Sequence, residues 1–134
     1  MALSQPRSTL ERGRDILVVP VAANAVIQQG GLVAVSAAGY AAPGAVSTTL
    51  KAGGRAEESV DNTGGADGAR SVKLKRGVFL FKNAAADPLT IADTLADCFI
   101  VDDETVARTN GGNTRSKAGK ALEIEANGVW VEIS

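Results

Sequence analysis

The last seventeen residues, Ala118 to Ser134, constrain the fold most, because the turn, register and faces of a β-hairpin can be read from them directly. Asn127-Gly128 is the strongest two-residue hairpin signal: both central positions of a type I′ turn need positive φ, which these residues tolerate. Pairing outward from that turn sets Ala126 against Val129, Glu125 against Trp130, Ile124 against Val131, Glu123 against Glu132, and Leu122 against Ile133. Leu122, Ile124, Val129, Val131 and Ile133 then form one wholly apolar face, expected in the core. The other face carries Trp130 with three carboxylates. Glu123 across from Glu132 is a like-charge pair costing roughly a few tenths of a kcal/mol or more, so a cationic neighbour is expected nearby.

The remaining strands are read from alternation and from the turn residues between them. DILVVPV from Asp15 and GLVAVSA from Gly31 are β-rich runs, and Tyr40 to Ala42 and Ser47 to Lys51 are weaker candidates. DNTGGADGA (61–69) is a loop by composition. After it, Val72 and Leu74 alternate with Lys73 and Lys75, and Val78 to Phe81 follow Gly77, which marks a bulge or bend. Near Pro88 one short helical turn is expected around Ile91 to Leu95. CFIVD (98–102) and Thr105 to Arg108 are further strands, with TNGGNTR (109–115) a second glycine-rich loop. Many short strands with hardly any 3.6-residue period predict an all-β fold: a small antiparallel β-barrel or sandwich with at most one short helix. Residues 1–14, with three arginines, Glu11 and only Leu3 and Leu10 as large apolar side chains, read as an extended, flexible arm. Residues 15–134 read as a single β domain.

Composition limits function more than it suggests one. The chain has 45% hydrophobic residues, enough for a core, but only 4% aromatics, so Tyr40, Phe79, Phe81, Phe99 and Trp130 are expected to be its few large anchors. A net charge of −1 gives no general attraction to a phosphate backbone, which argues against direct nucleic-acid binding. No apolar run reaches the length of a membrane span, and the N-terminus shows no secretory h-region; with a lone cysteine, a reducing cytoplasm fits.

No histidine occurs anywhere, which removes the commonest general base and the Ser-His-Asp and Cys-His arrangements. Cys98, between Asp97 and Phe99, reads as a small core residue in an acidic neighbourhood. Asp102, Asp103 and Glu104 read as a solvated turn before they read as a cation site. Asp61-Asn62-Thr63-Gly64 lacks the spacing of a calcium loop, and Gly119-Lys120 lacks the rest of a phosphate loop. No catalytic residue, metal ligand or cofactor is nominated, and the chain is expected not to be an enzyme. Charge is nonetheless segregated: Arg70, Lys73, Lys75, Arg76 and Lys82 precede Asp87, Asp93, Asp97, Asp102, Asp103 and Glu104. These runs are solvated faces, or they pair within the subunit or across an oligomer interface. In the second case Lys73 and Lys75 are expected to neutralise Glu123 and Glu132.

From Cys98 to Ser134 the order of elements resembles the capsid cement, or head decoration, proteins of tailed bacteriophages. An apolar strand runs into VDDETVA, a glycine-rich connector into TRSKAG, then come a β-strand and NGVWVEI. Upstream, the DNTGGADGA loop with its basic strand and RGVF, and the opening strand after a free arm, extend the likeness over most of Asp15 to Ser134. It is weakest from Val26 to Glu58. The resemblance implies a β-rich homotrimer on the outer capsid surface, made in the host cytoplasm, that binds the major capsid protein and reinforces the shell against packaged DNA. It also implies an arm, here Ser4, Arg7, Leu10, Arg12 and Arg14, that reaches across the neighbouring capsid subunit. The alternative class is a β-sandwich binding module for carbohydrate or a host-surface ligand, which needs exposed stacking rings; Trp130 and Tyr40 are the candidates.

Overall fold

A computed structural model describes residues 2–134. The fold is all-β. Its strands in chain order are β1 (Ile16–Pro20), β2 (Val26–Ile27), β3 (Leu32–Val35), β4 (Ala41–Pro43), β5 (Lys51–Ala56), β6 (Val60–Asp61), β7 (Ser71–Lys75), β8 (Gly77–Asn83), β9 (Asp97–Ile100), β10 (Thr105–Ala107), β11 (Lys117–Glu125) and β12 (Gly128–Ile133). The expected helical turn is a single 3₁₀ turn, Ile91–Asp93, in which Thr90 and Asp93 bond reciprocally as a capping box. Among the described residues no helix is long and apolar enough to cross a membrane.

Three layers stack. An open sheet in the order β1-β7-β5-β3-β4 lies between a two-stranded ribbon, β2-β6, and a closed barrel in the order β10-β8-β12-β11-β9. All pairs are antiparallel except β10 with β8, the parallel contact that closes the barrel. Period-two alternation drives each layer. In β7, Val72 and Leu74 are fully buried while Ser71, Lys73 and Lys75 face solvent. In β1, Leu17 and Val19 turn inward while Ile16, Val18 and Pro20 face out. All five β1 residues pair with β7, and the ladder continues through Arg76 N–H to Asp15 C=O at one end and Val21 N–H to Arg70 C=O at the other.

Two hydrophobic clusters result, and β3 serves both. Leu32 and Ala34 join the barrel core with Phe79, Phe81, Leu89, Cys98, Ile100, Val106, Val129, Val131 and Ile133. Val33, on the opposite face, joins Val21, Ile27, Ala41, Ala56, Val60, Val72 and Leu74. Of the five aromatics, Phe79 and Phe81 anchor the barrel edge to face, with centroids 6.5 Å apart, and the Arg55 guanidinium lies 4.6 Å from the Phe79 centroid. The chain passes from the open sheet to the barrel at Arg76-Gly77, where a bend was expected. Arg76 pins that corner, donating to Gly53 C=O at 3.0 Å and to Ser134 C=O.

The terminal hairpin forms, but in a different register. Glu125 pairs with Gly128, Ile124 with Val129 and Glu123 with Trp130; a bulge at Leu122 then sets Ala121 against Val131 and Lys120 against Glu132. The turn is therefore Ala126-Asn127, and neither residue has positive φ. Gly128 is used differently. It lies in β12 at φ 151°, buried, where a Cβ would fall inside 3.0 Å of the Phe81 carbonyl oxygen on β8. Close approach of two backbones in the barrel, rather than turn chemistry, fixes where this glycine sits. The bulge places Ala121 in the core where Leu122 was expected; Leu122 is only half-buried. Ile124, Val129, Val131 and Ile133 pack as expected.

Candidate interaction surfaces

The arm ahead of β1 lies outside every strand, and Ala2 to Asp15 is exposed throughout. Among the described residues from Ala2 to Arg14 the one backbone hydrogen bond, Thr9 N–H to Arg7 C=O, is local. The five residues nominated there divide in two. Ser4, Arg7 and Leu10 stand clear of the body, with Leu10 94% exposed. Arg12 and Arg14 line the mouth of a groove of about 810 Å³, shared with Ile16, Arg76, Gly77, Glu132 and Ser134. The arm therefore leaves the body beside the Glu132 end of β12.

The expected pairing of Lys73 and Lys75 with Glu123 and Glu132 does not occur within the subunit. The lysines lie on the outer face of the open sheet, opposite Val18 and Ile16, and the glutamates lie on the barrel. None of the four forms an ion pair among the described residues. The register change dissolves the like-charge pair that motivated the expectation: Glu132 now faces Lys120, and Glu123 faces Trp130.

The charged runs do pair, although mostly with other partners. Lys82 bridges to Glu104, linking the two runs once. Asp87 accepts from Arg115 Nη1 at 2.9 Å, Asp93 from Arg108 Nε at 3.1 Å, and Asp97 lies 3.2 Å from Lys117 Nζ. Hydrogen bonds from Thr109, first its hydroxyl at 2.5 Å, hold the Asp87 carboxyl below the usual carboxylate range, with Arg115 adding to this. The Thr90 backbone N–H does the same for Asp93. Asp87, Thr109 and Arg115 thus tie the second glycine-rich loop to the Pro88 segment. Asp102 to Glu104 form a structural turn: Asp102 Oδ1 accepts from Glu104 N–H at 2.9 Å, and Asp103 C=O accepts from Leu32 N–H at 2.7 Å.

Cys98 is fully buried, and desolvation pushes its thiol up to about 12, the opposite of an activated nucleophile. In the 61–69 loop, Asn62 is buried and donates to Ala22 C=O at 2.9 Å and Ala66 C=O at 3.1 Å, closing the loop on itself. Asp61 accepts from Thr63 N–H and hydroxyl at 2.9 and 2.5 Å. No group of three His, Cys, Asp or Glu among the described residues is placed to hold a metal ion.

The outer face of the barrel is the surface that sequence reasoning described least well. Val78 and Leu80 on β8 are 43% and 38% exposed, and the β8–β12 register sets them directly beside Glu132 and Trp130. Trp130 is half-buried, and its Nε1 donates to Glu125 Oε2 at 2.6 Å. The result is an apolar strip of Val78, Leu80 and Trp130 flanked by Glu123, Glu125 and Glu132, with Lys120 on the same side. Alternation in VFLFK and NGVWVEI contained this face, but pairing the two segments with each other required the barrel order. Tyr40 is far from it in the fold, in the β3–β4 turn beside Pro20 and Gly68, so the two candidate rings do not share a platform. No protein-family model, curated protein or solved structure matches the chain.

Proposed function

We propose that the protein is a structural component of a tailed-phage virion, decorating the outer capsid surface and cementing major capsid proteins against internal DNA pressure. The observation that carries this reading is the arm. A basic segment with two unburied leucines, Leu3 and Leu10, stands off a body whose strands are tied into a closed barrel and a backing sheet. Such a segment cannot bury its own apolar groups, and it gains order on a partner surface, where new contacts offset the entropy of fixing it. Ser4, Arg7, Leu10, Arg12 and Arg14 are then the residues that touch the capsid protein. The resemblance of VDDETVA, TRSKAG and NGVWVEI to phage decoration proteins supports the same reading, including a trimer as the assembled form and a role without catalysis.

Stabilisation follows by mass action: a protein that binds the assembled shell and not its dissociated subunits shifts the equilibrium toward the shell. The test is to compare capsids with and without the protein for DNA release on heating. Decorated particles are expected to retain DNA to a higher temperature, and Leu10→Asp with Arg12→Glu in the full chain is expected to lower occupancy. Equal DNA retention with and without the protein refutes the cementing role.

A further inference from the structure

We infer that Asn127, at the turn of the terminal hairpin, is a modification site: its side-chain amide is lost spontaneously through a cyclic imide, with water as the co-reactant. The chain contains two Asn-Gly dipeptides, Asn110-Gly111 and Asn127-Gly128, and one Asp-Gly, Asp67-Gly68. Each sets a backbone nitrogen that no side chain crowds within ring-closing reach of a side-chain carbonyl carbon. In the letters the two asparagines are equivalent. The fold separates them.

Asn110 is held at both ends of its amide: Nδ2 donates to Asn113 Oδ1 at 3.0 Å, and Oδ1 accepts from Asn113 N–H at 3.1 Å. The nitrogen that would attack it is engaged as well, Gly111 N–H donating to Thr109 Oγ1 at 3.2 Å. Asp67 is locked in the same way, its Oδ1 accepting from Ala23 N–H at 2.8 Å while Gly68 N–H donates to Val21 C=O at 2.9 Å. Turning either side chain onto its glycine breaks these bonds first. Asn127 has no such restraint. It is exposed, and among the described residues the one hydrogen bond that reaches a side chain between Leu122 and Ile133 joins Trp130 to Glu125. Gly128 occupies the last rung of the β11–β12 ladder, opposite Glu125, where local opening costs least. Nor can the barrel give up that glycine, since a Cβ there would fall inside 3.0 Å of the Phe81 carbonyl oxygen. The close approach of β12 to β8 therefore keeps the reactive nitrogen beside an asparagine whose own negative φ the turn could take from other residues.

Base removes the Gly128 amide proton, and the nitrogen attacks Asn127 Cγ. The new N–Cγ bond closes a five-membered imide as the Cγ–Nδ2 bond breaks, and Nδ2 takes a proton from water and leaves as ammonia. Water then opens the imide at one carbonyl or the other, giving aspartate or isoaspartate. The product adds one negative charge to a chain of net charge −1, at the turn that follows Glu125. Isoaspartate also adds a backbone carbon to the turn, while β12 stays registered on β8.

The experiment incubates the full chain in mildly alkaline buffer, folded and in urea. Isoelectric focusing, peptide mass mapping and methylation by an isoaspartyl methyltransferase follow the products. In the folded chain Asn127 is expected to convert, faster as pH rises, with Asn110 at least about tenfold slower and Asp67 unchanged. In urea the two asparagines are expected to convert at similar rates. Asn127→Ala is expected to fold and to lose the acidic form that the folded parent accumulates. Equal rates at Asn110 and Asn127 in the folded chain overturn the inference. So does an Asn127 that stays intact in the folded chain while the unfolded chain reacts. Neither result bears on the capsid reading, which concerns other residues.

Discussion

Two substitutions at adjacent residues separate the two ways of using the Asn127-Gly128 dipeptide. If these residues formed the centre of a type I′ turn, each would need positive φ, and Asn127→Ala and Gly128→Ala would carry similar penalties of about 1 kcal/mol. In the observed hairpin Asn127 has negative φ and is exposed, so Asn127→Ala is expected to stay within about 0.5 kcal/mol of the parent. Gly128 is different. A Cβ there would fall inside 3.0 Å of the Phe81 carbonyl oxygen and 3.0 Å from Leu80 Cδ1, at φ 151°. Relief requires β12 to move off β8. Overpacking costs about 1–3 kcal/mol, and one loosened ladder hydrogen bond adds about 1 kcal/mol. Gly128→Ala is therefore expected to lose about 2–4 kcal/mol. Urea unfolding followed by far-ultraviolet circular dichroism, which avoids relying on nearby Trp130, gives both numbers. Equal losses for the two variants, or a loss above about 1 kcal/mol for Asn127→Ala, refute the argument that backbone approach sets this register.

Three further outcomes follow from the same structure. Asn62→Ala is expected to cost about 1–3 kcal/mol, since it strands the Ala22 and Ala66 carbonyls that the amide now satisfies, and thermal unfolding reads the loss. Cys98 is expected to resist thiol reagents in the native protein and to react at the rate of global unfolding; rapid modification under native conditions contradicts its burial. Asp87 has a folded pKa below its unfolded one, so its contribution is fully present above the ordinary carboxylate pKa near ~4 and is lost as pH falls through the lower native value. Asp87→Asn is accordingly expected to destabilise the protein at neutral pH and to flatten its acid limb; an unchanged stability–pH curve counts against the Asp87–Thr109–Arg115 tie.

The strands legible in advance were β7 and β12, whose letters alternate, and β1 and β3, which are short apolar β-rich runs, β3 being buried on both faces. β5 was largely hidden, because KAGGRA combines two glycines with small and charged residues, and its strand character comes from neighbours on both sides. Gly53 sits where a Cβ would meet Leu74 Cδ1 inside 3.0 Å, so the residue that weakens the pattern is the one that leaves room for the side chain of the neighbouring strand β7. β2 and β6, two residues each, carry no period at all. The register error at the hairpin had a definite cause. A dipeptide with high turn propensity was competing with a third strand, and β8 was invisible from within the hairpin. The arm was legible because composition alone shows that it cannot bury itself. The barrel face was not, because Leu80 and Trp130 lie fifty residues apart and meet only through the β8–β12 ladder.

The attachment of the arm to β1 has a mechanical consequence. Tension applied through the arm enters the body at Asp15, and among the described residues the only strand paired with β1 is β7. When the pull runs along the β1 axis, the antiparallel bonds between Asp15–Arg76 and Val21–Arg70 bear it in shear and must give way nearly together. When it runs across the sheet, the same bonds open one at a time from the Ile16 end. The direction in which the arm is pulled, more than the number of bonds in the ladder, sets the force at which β1 parts from β7.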